Sequence, residues 1–253
     1  NSWYFNKCFL PFFKKIKMIK ANKIICAIDF NDLDNAVSFI DSIKHDIVYK
    51  IGMEFFYNFG LKGIEILQEK KPQMKIFLDL KLHDIPNTVS RALLPLLRNI
   101  KPFMITLHIS GGKNMLNEAI YIVKSTANQF SFEKPLVLGV TILTSLDKSQ
   151  LNEMGLVKSV NNYVLKYAKI AKSSGLDGIV CSPLEIKLIK KSFGNSLKIV
   201  TPGIRTKKSD NNDQARILSP KEAFKSGSDY IVMGRPLIHS KNPNKLIDDI
   251  INS

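Results

Sequence analysis

Residues 75–88 read KIFLDLKLHDIPNT. Ile76, Phe77, Leu78, Leu80 and Leu82 form an apolar, β-prone run that is too short for a helix. Lys75 to Leu82 is therefore predicted to be a buried strand, stopped where Ile85-Pro86-Asn87 turns the chain. Side chains two apart on a strand share a face, which aims Asp79 and Lys81 the same way as Phe77, toward a protein interior. Bringing an acid and a base to the end of a buried strand costs desolvation free energy. Two readings of the pair are open here: a structural ion pair, or a charged centre used for chemistry. A third charge, Asp84, and the chain on either side bear on the choice.

Outward from this stretch, apolar strand-like runs alternate with amphipathic helical stretches from Lys23 onward, the signature of repeated βα units around a parallel sheet. The expected strands are 23–29, 47–52, 75–82, 104–109, 136–143, 178–182, 198–204 and 230–235. Between them lie helices such as 34–43, with Asn31 and Asp32 as cap candidates. Another is 160–173, where Val160, Val164, Tyr167 and Ala171 recur at helical spacing. No Pro/Gly/Ser-rich linker divides this body, and no Gly-x-Gly-x-x-Gly follows the first strand, where an open dinucleotide-binding sheet would carry it. Eight such units predict a single-domain α/β fold, a (β/α)8 or TIM barrel, with functional residues at the carboxyl ends of the strands.

The 253 residues, 45% of them hydrophobic, suit one barrel of this kind. Residues 18–253 are assigned to the barrel. Residues 1–17, aromatic-rich and then basic, are read as an extension of uncertain status, with Met18 as a plausible start. In that segment the positive charge follows the apolar patch, unlike a secretory signal, and the patch is too short to span a bilayer. Lys and Arg exceed Asp and Glu by 37 to 22, for a formal charge of +15. The excess is scattered in lysine pairs, which reads as a solvated basic surface and not as a nucleic-acid footprint. Cys8, Cys26 and Cys181 are far apart and lack metal-ligand spacing, which fits a reducing, cytoplasmic setting and argues against structural zinc.

Polar groups close almost every predicted strand: Asp29, Lys50, Asp79 with Lys81, His108, Thr144, Ser182, Gly203 with Arg205, and Gly234 with Arg235. Stability alone gives no reason to gather Asp29, Lys50, Asp79 and Lys81 on one rim. Alternating charges make sense where a site holds one negative group while controlling another. The last two strands end in TPGIR (201–205) and MGRP (233–236). In this fold the loops after those strands commonly hold a phosphate, approached by glycine backbone N–H groups and neutralised by a nearby cation. Only five arginines occur, so two at these loops favour phosphate, most clearly at Gly234-Arg235. Arg205 alone also reads as a surface charge.

Taken in order, AIDF, YKIG, DLKLHDIPNT, LHISGG, TPGIR, NDQAR and MGRP resemble the bacterial-type orotidine 5′-monophosphate (OMP) decarboxylases, from about Lys23 to the C-terminal helix. The resemblance implies conversion of OMP to UMP and carbon dioxide with no metal and no organic cofactor. Lys81 would protonate C6 of the pyrimidine, and Asp79 would lie against the scissile carboxylate. Lys50, Asp79, Lys81 and Asp84 would form a charge network, with Asp84 contributed across a homodimer interface. Asp29 and Lys50 resemble ribose-hydroxyl ligands, with Thr88 reaching the same sugar, and Thr144, beside Ser145, resembles the pyrimidine-binding residue. Arg205, Gly234 and Arg235 resemble the phosphate site, and Gln214 the residue reaching the ligand from a closing loop over Thr206–Asp213. Ile109 departs from the family pattern, which often has a small residue there.

Two other readings compete. A metal-dependent sugar-phosphate decarboxylase or synthase shares the barrel and the Asp-x-Lys-x-x-Asp strand but needs a carboxylate at the end of strand two, where this chain has Lys50. A non-catalytic anion or nucleic-acid binder leaves Asp29, Asp79 and Asp84 unexplained, because rim carboxylates repel phosphates. The expected partners are accordingly the small-molecule substrate and a second copy of the chain, with neither nucleic acid nor membrane.

Overall fold

The computed structural model describes residues 19–205 and 218–253. The extension 1–17, Met18, Cys8, Gln214 and the loop expected over Thr206–Asp213 lie outside the described residues. Eight parallel strands close into a barrel in sequence order: β1 Ile24–Ala27, β2 Val48–Gly52, β3 Lys75–Leu82, β4 Met104–His108, β5 Leu136–Val140, β6 Gly178–Val180, β7 Lys198–Thr201 and β8 Tyr230–Met233. β8 returns to pair with β1, so the expected TIM barrel is the fold.

The helices among the described residues are α1 Leu33–Ser42, α2 Met53–Lys70, α3 Pro86–Ile100, α4 Gly112–Gln129, α5 Lys148–Glu153, α6 Val160–Ser173, α7 Ile186–Phe193, α8 Pro220–Ser226, α9 Arg235–Ile238 and α10 Pro243–Ile251. None is long and apolar enough to cross a membrane. Local chemistry fixes their starts. The Asp32 carboxylate accepts the Asn35 N–H at 2.8 Å and opens α1, as its cap-forming residue type predicts. Ser159 caps α6, and Ser219 and Glu222 cap α8 reciprocally. Pro86 opens α3, where a missing N–H leaves no intrahelical bond unmade, so Asp84 and Ile85 are held between a strand and a helix with no loop to spare.

Strand alternation sorts the core into two shells. Ile25, Ala27, Val48, Phe77, Met104, Leu138, Val200, Tyr230 and Val232 pack inside the barrel. The intervening residues, among them Ile24, Cys26, Tyr49, Ile51, Ile76, Leu78, Ile105 and Ile199, pack outward against the helices. Each fully buried large apolar side chain contributes about 1.5–3 kcal/mol, and both shells are continuous. Cys26 and Cys181 are free and buried, and burial pushes both thiols well above their ordinary range.

Several strands end earlier than their apolar pattern suggests: β5 stops at Val140 instead of Leu143, and β7 at Thr201 instead of Ile204. The physical reason is that Ile28, Ile142 and Ile204 stay buried after the ladder has ended, so burial outlasts pairing at the carboxyl rim. Ile109, which the resemblance marks as a departure, is accommodated by Gly139 on β5. A Cβ there would stand 2.6 Å from Ile109 Cγ1.

Candidate active site

The inner shell is apolar up to Ala27, Val48, Phe77 and Met104, and two residues farther along each strand it turns polar, at Asp29, Lys50, Asp79 and Thr106. The register brings them level: Ala27 pairs with Lys50, Lys50 with Phe77, and Gly52 with Asp79. The result is a row of alternating charge on an apolar floor. Lys50 Nζ lies 3.7 Å from Asp29 Oδ1 and 3.5 Å from Asp79 Oδ2, and Lys81 Nζ lies 3.0 Å from the same Asp79 Oδ2. The Lys50 and Asp79 side chains are only 12% and 11% exposed, so their mutual attraction is less screened than in surface pairs. Lys50 lies between two carboxylates, whereas Lys81 shares its one carboxylate oxygen with Lys50, which leaves the Lys81 ammonium incompletely neutralised and available to a further anion.

Lys81 reaches this row by a route that regular alternation does not give. Leu78 pairs with Ile105 and Leu82 with Leu107, so Asp79, Leu80 and Lys81 together face the single residue Thr106. Within this bulge Lys81 adopts φ +50°. Such a conformation costs a residue with a Cβ about 1–3 kcal/mol and persists only where its surroundings over-determine it. Here the Lys81 N–H donates to Thr106 Oγ1 at 2.9 Å, and the Thr106 hydroxyl donates to Asp79 Oδ1 at 3.0 Å. The shared face of Phe77 and Asp79 therefore follows from strand period, whereas the aim of Lys81 is set by the bulge.

Gly52 is a second residue that pattern reading missed. It has an ordinary φ of −93°, so its backbone does not require glycine. A Cβ there, however, would stand 3.0 Å from Lys50 Nζ and 3.2 Å from Asp29 Oδ1. Gly52→Ala is expected to lower kcat/KM about tenfold by displacing those two groups, while Tm moves by no more than about 4 °C. Steady-state kinetics beside a melting curve checks this; a large fall in Tm with unchanged kinetics would contradict it.

Asp84, by contrast, does not join the row within its own chain. It is exposed, its carboxylate accepts the Ile85 N–H at 2.7 Å, and it makes no ion pair with a described residue. Ile85 beside it is 64% exposed, and Thr88 is exposed on the first turn of α3. His83 and His108 face one another with ring centroids 5.3 Å apart. Burial lowers the His108 pKa from its ordinary value, with His83 and Lys81 adding to the effect and Asp79 opposing it.

On the other side of the rim, Thr144 and Ser145 are exposed in the loop after β5. Ser182 is committed to structure: its N–H donates to Glu185 Oε2 at 2.9 Å, and its hydroxyl accepts the Leu184 N–H. Burial raises the Glu185 carboxyl to about 7. Gly203 has φ +76°, a conformation that favours glycine, and it turns the chain after β7 into the half-buried Arg205. The Arg205 N–H donates to the Leu218 carbonyl at 3.3 Å, joining the two chain ends that border residues 206–217. Gly234 lies against Ala27 of β1, and Arg235 follows it exposed, as the first residue of α9.

The chain as a whole has close counterparts among known proteins. Residues 22–250 match the model of the orotidine 5′-phosphate decarboxylase / HUMPS family. The chain belongs to this family. Among curated members, the orotidine 5′-phosphate decarboxylase of Wolbachia pipientis subsp. Culex pipiens (strain wPip) is 42% identical over 233 residues, covering 92% of this chain and 98% of the relative. That of Wigglesworthia glossinidia brevipalpis is 42% identical over 235 residues, covering 92% and 98%. Among solved structures, the orotidine 5′-phosphate decarboxylase from Lactobacillus acidophilus superposes with a TM-score of 0.79 at 34% identity, covering 92% of this chain and all (100%) of the other. The decarboxylase-family barrel thus extends over nearly the whole described chain.

Proposed function

We propose that this chain decarboxylates orotidine 5′-monophosphate to UMP and carbon dioxide, using neither metal nor organic cofactor. The observation that carries the proposal, beyond family membership, is the Asp29–Lys50–Asp79–Lys81 row, in which Lys81 Nζ and Lys50 Nζ share Asp79 Oδ2 at 3.0 and 3.5 Å. Decarboxylation at C6 breaks the bond to the carboxylate and leaves its electron pair on a carbon without a good electron sink. A fixed cation next to that carbon stabilises the charge as it develops. Lys81 supplies the cation and then transfers its proton to C6, and solvent reprotonates the amine. Asp79 lies against the departing carboxylate, while Lys50 balances Asp79 and, with Asp29, holds the ribose hydroxyls. Thr88 reaches the same sugar, Thr144 holds the pyrimidine edge, and Arg205, Gly234 and Arg235 hold the phosphate. Gln214 is assigned a contact with the same ligand, by resemblance to the family.

The chain acts as a homodimer in this reading, with Asp84 of the partner subunit completing the charge network. In support, Asp84 makes no ion pair with a described residue of its own chain and adjoins the exposed, apolar Ile85. The free, buried Cys26 and Cys181 fit a cytoplasmic enzyme. A metal-dependent reaction on the same barrel would need a carboxylate where Lys50 stands; an ammonium 3.5 Å from Asp79 opposes a cation there.

Mixing two variants tests activity and shared site together. Lys81→Ala and Asp84→Ala, each nearly inactive on OMP alone, should recover about a quarter of wild-type activity when dissociated and reassociated. Half the dimers are then hybrids carrying one intact site of two. A mixture no more active than its components, with hybrids verified by native mass spectrometry, would sink the shared site. An inert wild-type control would sink the reaction.

A further inference from the structure

We propose that Thr106 is a positioning residue for the decarboxylation, which sets both the aim of Lys81 and the orientation of Asp79; the inference rests on the function proposed above. Thr106 sits on the inward face of β4, two residues beyond Met104 of the apolar floor, and is 1% exposed. Its single hydroxyl makes two bonds whose directions are forced. The Lys81 backbone N–H can only donate, so Thr106 Oγ1 accepts it at 2.9 Å. The hydroxyl proton then goes to Asp79 Oδ1 at 3.0 Å. Asp79 is therefore held at both oxygens: Oδ1 by Thr106, Oδ2 by the ammoniums of Lys81 and Lys50.

The same hydroxyl takes over from the backbone where the ladder is interrupted. Three residues of β3 oppose Thr106 alone, and within that bulge Lys81 has φ +50°. A regular parallel ladder would give the Lys81 N–H a carbonyl acceptor; here its acceptor is a side chain on the neighbouring strand. Thr106 thus joins the backbone that carries the proton donor to the carboxylate that flanks it, without touching the substrate. Valine keeps the shape of threonine and deletes only the hydroxyl. In Thr106→Val the Lys81 N–H loses its acceptor and Asp79 Oδ1 loses its donor, so the bulge relaxes and the ammonium shifts relative to C6.

Misplacement on the scale of an ångström at a reacting centre lowers turnover by about 100-fold. For Thr106→Val the expected result is kcat down by about that factor, with KM for OMP and Kd for UMP within about threefold of wild type, because the groups that bind phosphate and pyrimidine are untouched. Thr106→Ser, which restores the hydroxyl, should recover kcat to within about threefold. If the valine protein does not fold, Thr106→Ala beside Thr106→Ser gives the same contrast. A valine variant with wild-type kcat, or a serine variant as slow as the valine one, overturns the assignment, as does a fall in kcat matched by an equal loss of UMP binding. Wild-type protein inert toward OMP overturns the functional reading and this inference with it, whereas an active wild type beside an undiminished valine variant overturns this inference alone.

Discussion

Lys81→Ala is expected to lower kcat on OMP by roughly five orders of magnitude, because in the proposed reaction one side chain supplies both the fixed cation beside C6 and the proton that quenches the carbanion. Those two contributions are typically about 10²–10³ and 10²–10⁴ in rate, and they act on the same transition state, so their product is a bound and not a sum of independent parts. The variant should still bind UMP, since the proposed ligand contacts Arg205, Arg235 and Thr144 are distant in sequence from β3 and come from other loops of the rim. Single-turnover kinetics with UMP titration by calorimetry separates the two. A kcat within tenfold of wild type would remove Lys81 from the chemistry and return the Asp79–Lys81 pair to a structural ion pair.

The second large effect is expected far from the reacting carbon. Arg235→Ala should reduce kcat/KM by about 10³-fold or more, because a forked guanidinium on a phosphate makes two charge-assisted bonds, and remote binding energy of this kind is realised in the transition state. Arg235→Lys should recover only part of the loss, since an ammonium cannot reproduce the fork. The nucleoside orotidine, which has no phosphate, provides the control: wild type and Arg235→Ala should turn it over at similar, low rates. Equal losses on OMP and orotidine would mean that Arg235 acts on the structure of the rim and not on the phosphate.

Much of this arrangement was legible in the chain. Parallel strands separated by amphipathic helices have a distinct apolar period, and the residue that ends each inward-facing row could be counted from it. That is why Asp29, Lys50, Asp79 and Lys81 were expected on one rim, and the structure brings them within 3.7 Å of a neighbour in the row. What periodicity could not give is the bulge in β3. Side-chain alternation assumes one residue per step on both strands, and Asp79 to Lys81 against Thr106 breaks that count. Thr106 nevertheless left a trace: it is a hydroxyl on an inward position in the middle of MITLH, a strand apolar up to its terminal His108 apart from this residue, and a buried hydroxyl needs partners. Gly52 left less, because what makes it small is the space taken by Lys50 and Asp29, a tertiary fact. The apolar pattern overruns the strand ends for a related reason, since Ile142 and Ile204 are apolar for burial and not for pairing. Asp84 is the opposite case: its position in sequence suggests the charge row, yet its own fold leaves it exposed, with its carboxylate on the Ile85 N–H.

The most direct measurement is turnover of OMP by purified wild-type protein kept in EDTA, followed by ultraviolet absorbance with carbon dioxide release measured in parallel. The row of Asp29, Lys50, Asp79 and Lys81 predicts rapid formation of UMP and carbon dioxide in equal amounts, unchanged by the chelator. No turnover of OMP, with activity on a sugar phosphate restored by magnesium, would contradict it and assign the barrel to metal-dependent chemistry.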